Sequence, residues 1–266
     1  KAKDIHINDY VYVKRAGDVI PDIDRVEFKK RSKNKTIKPP KKCPSCSSNL
    51  IKMNNQIALK CVNSKKCKPQ IEGSILHFIS RKGMNIIGIG NQIIKELTEK
   101  KLISRTSDIY SLKENDFKKL GRVGAKSIEN YISAIEKSKE VSFSKFIYSL
   151  GIKEVGESSS KSLANEFNSI DDLVECSLEK LVSIDDVGPI VAENIISYMN
   201  DKDNKKNIHK LIQSGIQIIY SKGIKNRKSL VITGSFESHS RDSLKNLLES
   251  IGYKVNSTVT KKTDLL

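Results

Sequence analysis

No run of eighteen apolar residues occurs in this chain of 266, and no secretory signal stands at its start. Neither a membrane-spanning helix nor a signal-peptide core is expected in these residues, and a soluble protein is expected. Tryptophan is absent. Cysteine is scarce and unevenly placed: Cys43, Cys46, Cys61 and Cys67 fall within 25 residues, and Cys176 stands alone. That spacing argues against a disulfide framework and for a metal site in a reducing compartment. Acidic residues are outnumbered, 31 against 48 Lys and Arg, for a net charge of +17. Such an excess suits a polyanionic partner, although ribosome-associated and simply basic proteins share it. Between Phe28 and Lys42 there are eight Lys or Arg and no acidic residue, with Pro39-Pro40 near the end. This reads as a solvated basic linker that could also neutralise phosphates. The length allows two or more domains. The chain opens on Lys1 inside a strand-like stretch and stops at Leu266 in mid-pattern, so a fragment of a longer protein is expected.

The stretch from Ile87 to Met199 repeats one pattern four times: Ile89-Gly90, Val123-Gly124, Val155-Gly156 and Val187-Gly188, with the glycines 34, 32 and 32 residues apart. Four residues after each Gly stand Ile94, Ile128, Ser160 and Ala192; seven after stand Leu97, Tyr131, Leu163 and Ile195. Those offsets share one helix face, so each repeat predicts a tight turn opening an amphipathic helix. A period of this size demands a test for repeats, and no common solenoid signature fits. A helix start offers unpaired N–H groups and a positive dipole end, and Gly removes the side chain that would hold a phosphate away. One such turn alone is more simply a packing turn; four in register point to DNA backbone. Either role leaves open whether these glycines need a positive φ. The tips differ in charge. The second carries Arg122 and Lys126, whereas the fourth carries Asp185 and Asp186, which repel phosphate and leave it a packing role. Pro189 suits a first helical position.

Around this array the chain reads as follows. Ile5 and Ile7, then Val11 and Val13, alternate as strand pieces about an Asn8-Asp9 turn. The run from Val11 to Pro21 reads as strand, Gly turn and short strand, with Pro21 as a stop. Cys43-x2-Cys46, fourteen residues, Cys61, five residues and Cys67 suit a tetrahedral zinc closed by a hairpin of Leu50-Ile51 and Ile57-Ala58-Leu59. Four thiolates leave no open position, so such a metal is structural. Ile75 to Ile79 is taken to begin the first helix of the array, with His77 in a structural role. Cys176 reads as buried or inert. Asp201 to Arg227 reads as a linker around one short helix near Ile208 to Gln213. Ser229 to Gly234 predicts a strand, and Arg241 to Ser250 a helix with Leu244, Leu247, Leu248 and Ile251 on one face. Tyr253 to Val255 is a second strand, and Thr260 to Leu266 a turn and a strand. Strand, helix and strand at this length make a small parallel α/β unit.

Together these features resemble the C-terminal portion of bacterial-type NAD-dependent DNA ligases. Arg15-Ala16-Gly17-Asp18-Val19-Ile20-Pro21 resembles the end of an OB-fold. The four cysteines resemble the family's zinc module, and the repeats its tandem helix-hairpin-helix motifs. Thr233-Gly234, the helix and Lys261-Lys262-Thr263-Asp264-Leu265 resemble the first half of a BRCT domain. The resemblance implies a multidomain, mainly α chain: OB-fold end 1–27, basic linker 28–42, zinc module 43–68, helix-hairpin-helix domain 69–220 and partial BRCT-like unit 228–266.

It implies a parent enzyme that seals nicks in double-stranded DNA during replication and repair. There, a lysine in an N-terminal adenylation domain takes AMP from NAD and passes it to the 5′-phosphate, and the 3′-hydroxyl displaces it. The family closes on DNA as a clamp, with OB-fold and hairpins in the minor groove. Its contacts map onto Arg15, Val19 and Ile20, and onto Gly88, Gly90, Gly121, Gly124, Gly156 and Gly188, with Arg122 and Lys126 adding charge; zinc falls to Cys43, Cys46, Cys61 and Cys67. NAD and Mg2+ would bind outside this chain, and a cytoplasmic, nucleoid-associated place is implied, without a membrane partner. The chain departs from the family in lacking Lys-x-Asp-Gly, so no catalytic residue is expected within it and it should not ligate alone. Glu154 also stands where the first repeat has Gly88. The competing readings are a standalone non-enzymatic DNA-binding protein built from the same modules, and a scaffold whose BRCT-like end binds phosphoproteins.

Overall fold

A computed structural model describes residues 3–17, 19–32, 35–52, 58–121, 123–220, 228–234, 241–250, 253–260 and 263–265. Arg122, Asp18, Ile57, Ile251, Lys261 and Lys262, singled out above, lie outside the described residues. The chain divides into two compact units, Lys1–Cys67 and Lys68–Leu266. Eleven α-helices and eight short strands make it mainly helical among those residues.

In the first unit β1 (Val11–Ala16) pairs antiparallel with β2 (Ile20–Val26), with a register shift at Tyr12/Val13. Gly17 turns between them with φ 65. Pro21 does not stop the second strand; it lies opposite Arg15 inside the ladder. A two-stranded ribbon has only edge strands, where the missing N–H of proline is tolerated. Ile5 to Ile7 forms no strand, only a bridge between His6 and Thr36. The basic run is also less solvated than its composition suggests. Arg31 reaches Asp9 through Nε at 3.1 Å and Nη2 at 2.7 Å, and Asp4 through Nη1 at 2.8 Å. The Asp9 carboxylate is only 1% exposed, so the paired charge stitches residue 31 to the unit's start. A short hairpin follows, β3 (Leu50–Lys52) against β4 (Leu59–Cys61).

The second unit begins with α1 (Lys68–Ile79). Ile75 to Ile79 is therefore the end of that helix; Pro69 in its first turn is where proline favours helix entry. Then come α2 (Asn91–Glu99), α3 (Glu114–Lys118), α4 (Ala125–Lys137), β5 (Glu140–Ser142), α5 (Phe143–Ser149), α6 (Glu157–Glu166), α7 (Ile170–Val174), α8 (Leu178–Val182), α9 (Pro189–Asn200), α10 (Lys202–Gln213) and β6 (Gln217–Ile219). Each helix turns one apolar stripe inward: Ile94 and Leu97 of α2, Ile128 and Ile135 of α4, Leu163 of α6, Ala192 and Ile195 of α9 are all buried. Burying a side chain such as Leu97 contributes roughly 1.5–3 kcal/mol. Phe78, Phe117, Phe143 and Phe146 are fully buried at the centre. His77 accordingly has a structural place, its Nε2 2.8 Å from the Tyr148 carbonyl. Cys176 is half-buried against the core, its thiol donating to Leu173 O, and burial pushes its pKa up.

Residues 201–220 are not a linker. Asp201 caps α10, which starts six residues before Ile208, and Asn207 bonds Thr106 Oγ1 at 2.8 Å. Strand β6 then pairs parallel with β5. Beyond it, β7 (Ser229–Val231) is shorter than expected and pairs parallel with β8 (Lys254–Asn256); α11 (Arg241–Ser250) packs against β8. Leu265 bridges Leu230 in the same sense. Leu247 is half-exposed rather than covered.

The turn after α1 fixes one glycine that the repeat pattern does not single out. The chain doubles back so that Met84 N–H donates to Phe78 O at 2.9 Å. A Cβ on Gly83 would stand 2.6 Å from that same backbone oxygen. Gly83→Ala should therefore lower stability by roughly 1–3 kcal/mol, read as a fall in melting temperature. Gly90→Ala, with open space around it, should cost less than about 1 kcal/mol. Equal melting of Gly83→Ala and the parent would contradict this packing.

Candidate nucleic-acid interface and metal centre

The metal centre is built by two turns. Cys43 N–H donates to Ser48 O at 2.8 Å and Ser47 N–H to Cys43 O at 2.9 Å, folding Cys43 and Cys46 to one side. Ser47 takes the left-handed φ of 58 that this needs. Cys67 N–H donates to Asn63 O at 3.0 Å, and the β3–β4 hairpin sets Cys61 opposite Leu50, four residues beyond Cys46. All four Sγ atoms lie within 4.8 Å of one another. Cys43 to Cys67 is 3.9 Å and Cys46 to Cys61 is 3.5 Å. A tetrahedron with zinc–sulfur bonds of about 2.3 Å has sulfurs about 3.8 Å apart, whereas a disulfide needs about 2.05 Å. The Ser48 hydroxyl and backbone N–H lower the Cys46 pKa to about 6. Cys61 sits at about 11: the Asn63 backbone draws it down, but desolvation and the neighbouring Cys46 and Cys43 outweigh that. Four thiols so placed could hold a metal ion.

Arg15, Val19 and Ile20 gather at one end of the β1–β2 ribbon. Ile20 pairs with Ala16 across the Gly17 turn, and Val19 is 83% and Ile20 68% exposed. Two apolar side chains and an exposed cation at a ribbon tip suit a groove with apolar walls and phosphate rims.

The repeat geometry is uniform. Gly90, Gly124, Gly156 and Gly188 each occupy the N-cap of the following helix, α2, α4, α6 and α9, with extended backbone. None has positive φ, and nothing lies within 4 Å of where a Cβ would be. The fold therefore tolerates a side chain at all four. None of the four helices has a side-chain cap. Elsewhere the chain does cap: Ser169, Ser177 and Asp201 accept from first-turn N–H groups of α7, α8 and α10. The four N-termini are thus bare where those of α7, α8 and α10 are closed; α5, which follows Ser142, also lacks a side-chain cap. Two residues before three of the caps the backbone turns left-handed: Gly88 at φ 98, Glu154 at 62 and Asp186 at 63. Glu154 thus keeps the turn that Gly88 makes, at the strain of a non-glycine residue there.

The tips carry different groups. Lys126 is mostly exposed and pairs with Glu129, three residues on, at 3.0 Å, a pair worth little in water. The Gly121 N–H already donates to Glu96 Oε2 at 3.1 Å. Lys82 pairs with Glu157 at the first position of α6. Asp186 Oδ2 accepts from Ser158 Oγ at 2.7 Å and Ser162 Oγ at 3.4 Å. Apart from Glu129, these partners were missed in the sequence, since they join different repeats.

A family model described as helix-hairpin-helix motif matches residues 145–208, which hold the third and fourth tips. A DNA ligase of Francisella tularensis subsp. novicida is 39% identical over 275 residues, covering 100% of this chain and 40% of the relative. A DNA ligase of Francisella philomiragia is 39% identical over 274 residues with the same coverage. One of Coxiella burnetii is 38% identical over 267 residues, covering 98% of this chain and 40% of its own length. The chain is a relative of bacterial DNA ligases. It spans about 40% of the length of these relatives. The ligase likeness runs through both units, and the two tips before residue 145 share the Gly cap of the two that the motif covers. Among the described residues no helix is long and apolar enough to cross a membrane.

The cysteine geometry predicts one zinc per chain by elemental analysis. Cys61→Ser should lose the metal and Cys176→Ser should keep it. Protons compete for thiolates, so retention should fall as pH is lowered. Metal-free purified protein, or loss of metal in Cys176→Ser, would contradict the assignment.

Proposed function

We propose that this chain is the DNA-gripping part of an NAD-dependent DNA ligase that seals nicks in duplex DNA. The observation that carries the proposal is the set of four glycine-capped, side-chain-free helix starts beside open space. A glycine that the fold does not require is explained by something outside the fold that must come close. Phosphate is the group that bare first-turn N–H donors and a positive dipole end suit. The net charge of +17 adds long-range attraction. In this reading all four repeats are tandem helix-hairpin-helix motifs, gripping both strands without reading bases. The contacts are Gly88, Gly90, Gly121, Arg122, Gly124, Lys126, Gly156 and Gly188.

Residues 1–27 are the end of an OB-fold that presents Arg15, Val19 and Ile20 to the minor groove. Residues 28–42 are the basic linker that follows it, and 43–68 a module shaped by one structural zinc on Cys43, Cys46, Cys61 and Cys67. Residues 69–220 are the hairpin domain. Residues 228–266 are the first half of a BRCT-like unit, supported by the parallel β7–α11–β8 order. The adenylated lysine, NAD and Mg2+ belong to an N-terminal adenylation domain outside these residues, and the whole enzyme works in the cytoplasm on the nucleoid. Incubation with labelled NAD should leave no AMP adduct on this chain; a covalent adduct would overturn that division of labour.

The DNA contact has a test in which stability and binding move in opposite directions. Gly124 has φ −79 and a free Cβ position, and Asp is among the best N-cap residues. Gly124→Asp should therefore leave the melting temperature unchanged or slightly raised. The same carboxylate blocks phosphate and should weaken duplex binding by about 1–3 kcal/mol. Gly188→Asp should do less, since Asp185 and Asp186 already stand at that tip. In the parent, six phosphate contacts would give a log–log salt slope of about −5. Unchanged affinity and slope in Gly124→Asp would make the hairpins packing devices.

A further inference from the structure

Aligning the four repeats on their capping glycines brings two distant contacts into register. The sixth residue after the first cap is Glu96, and its carboxylate accepts from the Gly121 N–H at the second tip, 3.1 Å away. The sixth residue after the third cap is Ser162, and its hydroxyl meets the Asp186 carboxylate at the fourth tip, 3.4 Å away. Ser158 strengthens that second contact at 2.7 Å, and Ser159 Oγ donates to the Asp186 carbonyl at 3.0 Å. The chemistry is inverted between the two. In the first pair the helix supplies the carboxylate and the tip the donor; in the second the helix supplies donors and the tip the carboxylate. The helix position is the same, the sixth after the cap; on the facing tip Gly121 stands three residues before its capping glycine and Asp186 two before its own. The first pair is also closed from its other side, where the Tyr131 ring of α4 lies 3.4 Å from the Cβ position of Gly88.

We propose that Glu96 and Asp186 are positioning residues that latch the tips into two rigid pairs, first with second and third with fourth. Each pair offers two bare helix starts at a fixed separation, so that one duplex meets both without a further ordering cost. This rests on the reading that the hairpins bind DNA backbone. It also explains why carboxylates persist at tips built for an anion. Asp186 is not an idle negative charge: two hydroxyls hold it, at the left-handed φ of 63 that Gly88 and Glu154 also adopt before their caps.

Electrostatics alone and the latch predict opposite signs. Removing a carboxylate near phosphate should tighten DNA binding by charge, but weaken it if the carboxylate sets tip geometry. The test uses the whole chain and a fluorescent nicked duplex. Glu96→Ala and Asp186→Gly are the informative variants, the glycine keeping the positive φ accessible. Each should weaken binding about tenfold, the scale of one hydrogen bond to a charged group. Each should also flatten the salt slope by about one phosphate, with circular dichroism and melting as in the parent. Glu96→Gln keeps an oxygen acceptor without the charge and should restore near-parent binding. Ser158→Ala/Ser162→Ala changes no charge and should match Asp186→Gly, with no further loss when the three changes are combined. Binding by Glu96→Ala and Asp186→Gly that equals or exceeds the parent's overturns the latch and leaves hairpin binding standing. Failure of the unaltered chain to bind duplex overturns the hairpin reading itself, and the positioning role with it.

Discussion

The first turn of a helix carries N–H groups that no residue of that helix can satisfy. Much of this molecule's organisation follows from how each helix start meets that constraint. At α7, α8 and α10 a Ser or Asp side chain accepts from the first turn. At α2, α4, α6 and α9 a glycine stands in the capping place and no side chain accepts. The apolar stripes behind those four helices, from Ile94 and Leu97 to Ala192 and Ile195, fix them to one core. Burial on one side thus holds the bare N-termini still on the other, as recognition of a backbone requires.

The repeat and the cysteine cluster were legible in the sequence because each rests on a short spacing with one physical meaning. A Gly followed at four and seven by buried residues can hardly be anything but a helix start, and the four helices begin one residue after their glycines. The four thiols converge because their turns are local. Arg241 to Ser250 was legible for the same reason.

What escaped the sequence was long-range or locally disguised. Strands β5 and β6 are three residues each and pair across about seventy intervening residues, so neither shows a period. The Lys- and Asn-rich start of α10 looks like linker, yet Asp201 caps it and Asn207 ties it to Thr106 and Ser107. Arg31 sits in a basic run, and only the fold shows the Asp9 carboxylate it answers. Glu96 with Gly121, and Asp186 with Ser158 and Ser162, join different repeats, and only the shared offset of Glu96 and Ser162 from their capping glycines could have suggested a pairing. Net charge pointed to a polyanion but not to where it is met, since the tips themselves carry Glu154, Asp185 and Asp186.

The measurement closest to the central claim is an amide titration: nitrogen-15 spectra of the chain recorded while duplex DNA is added. Bare helix starts that hold phosphate predict shifts concentrated at residues 91–93, 125–127 and 157–159, and weaker ones at 190–191, where acidic Asp185 and Asp186 flank the tip. The capped starts after Ser169, Ser177 and Asp201 should stay unmoved. Shifts spread over the basic surface while the glycine-capped starts remain silent would contradict the account.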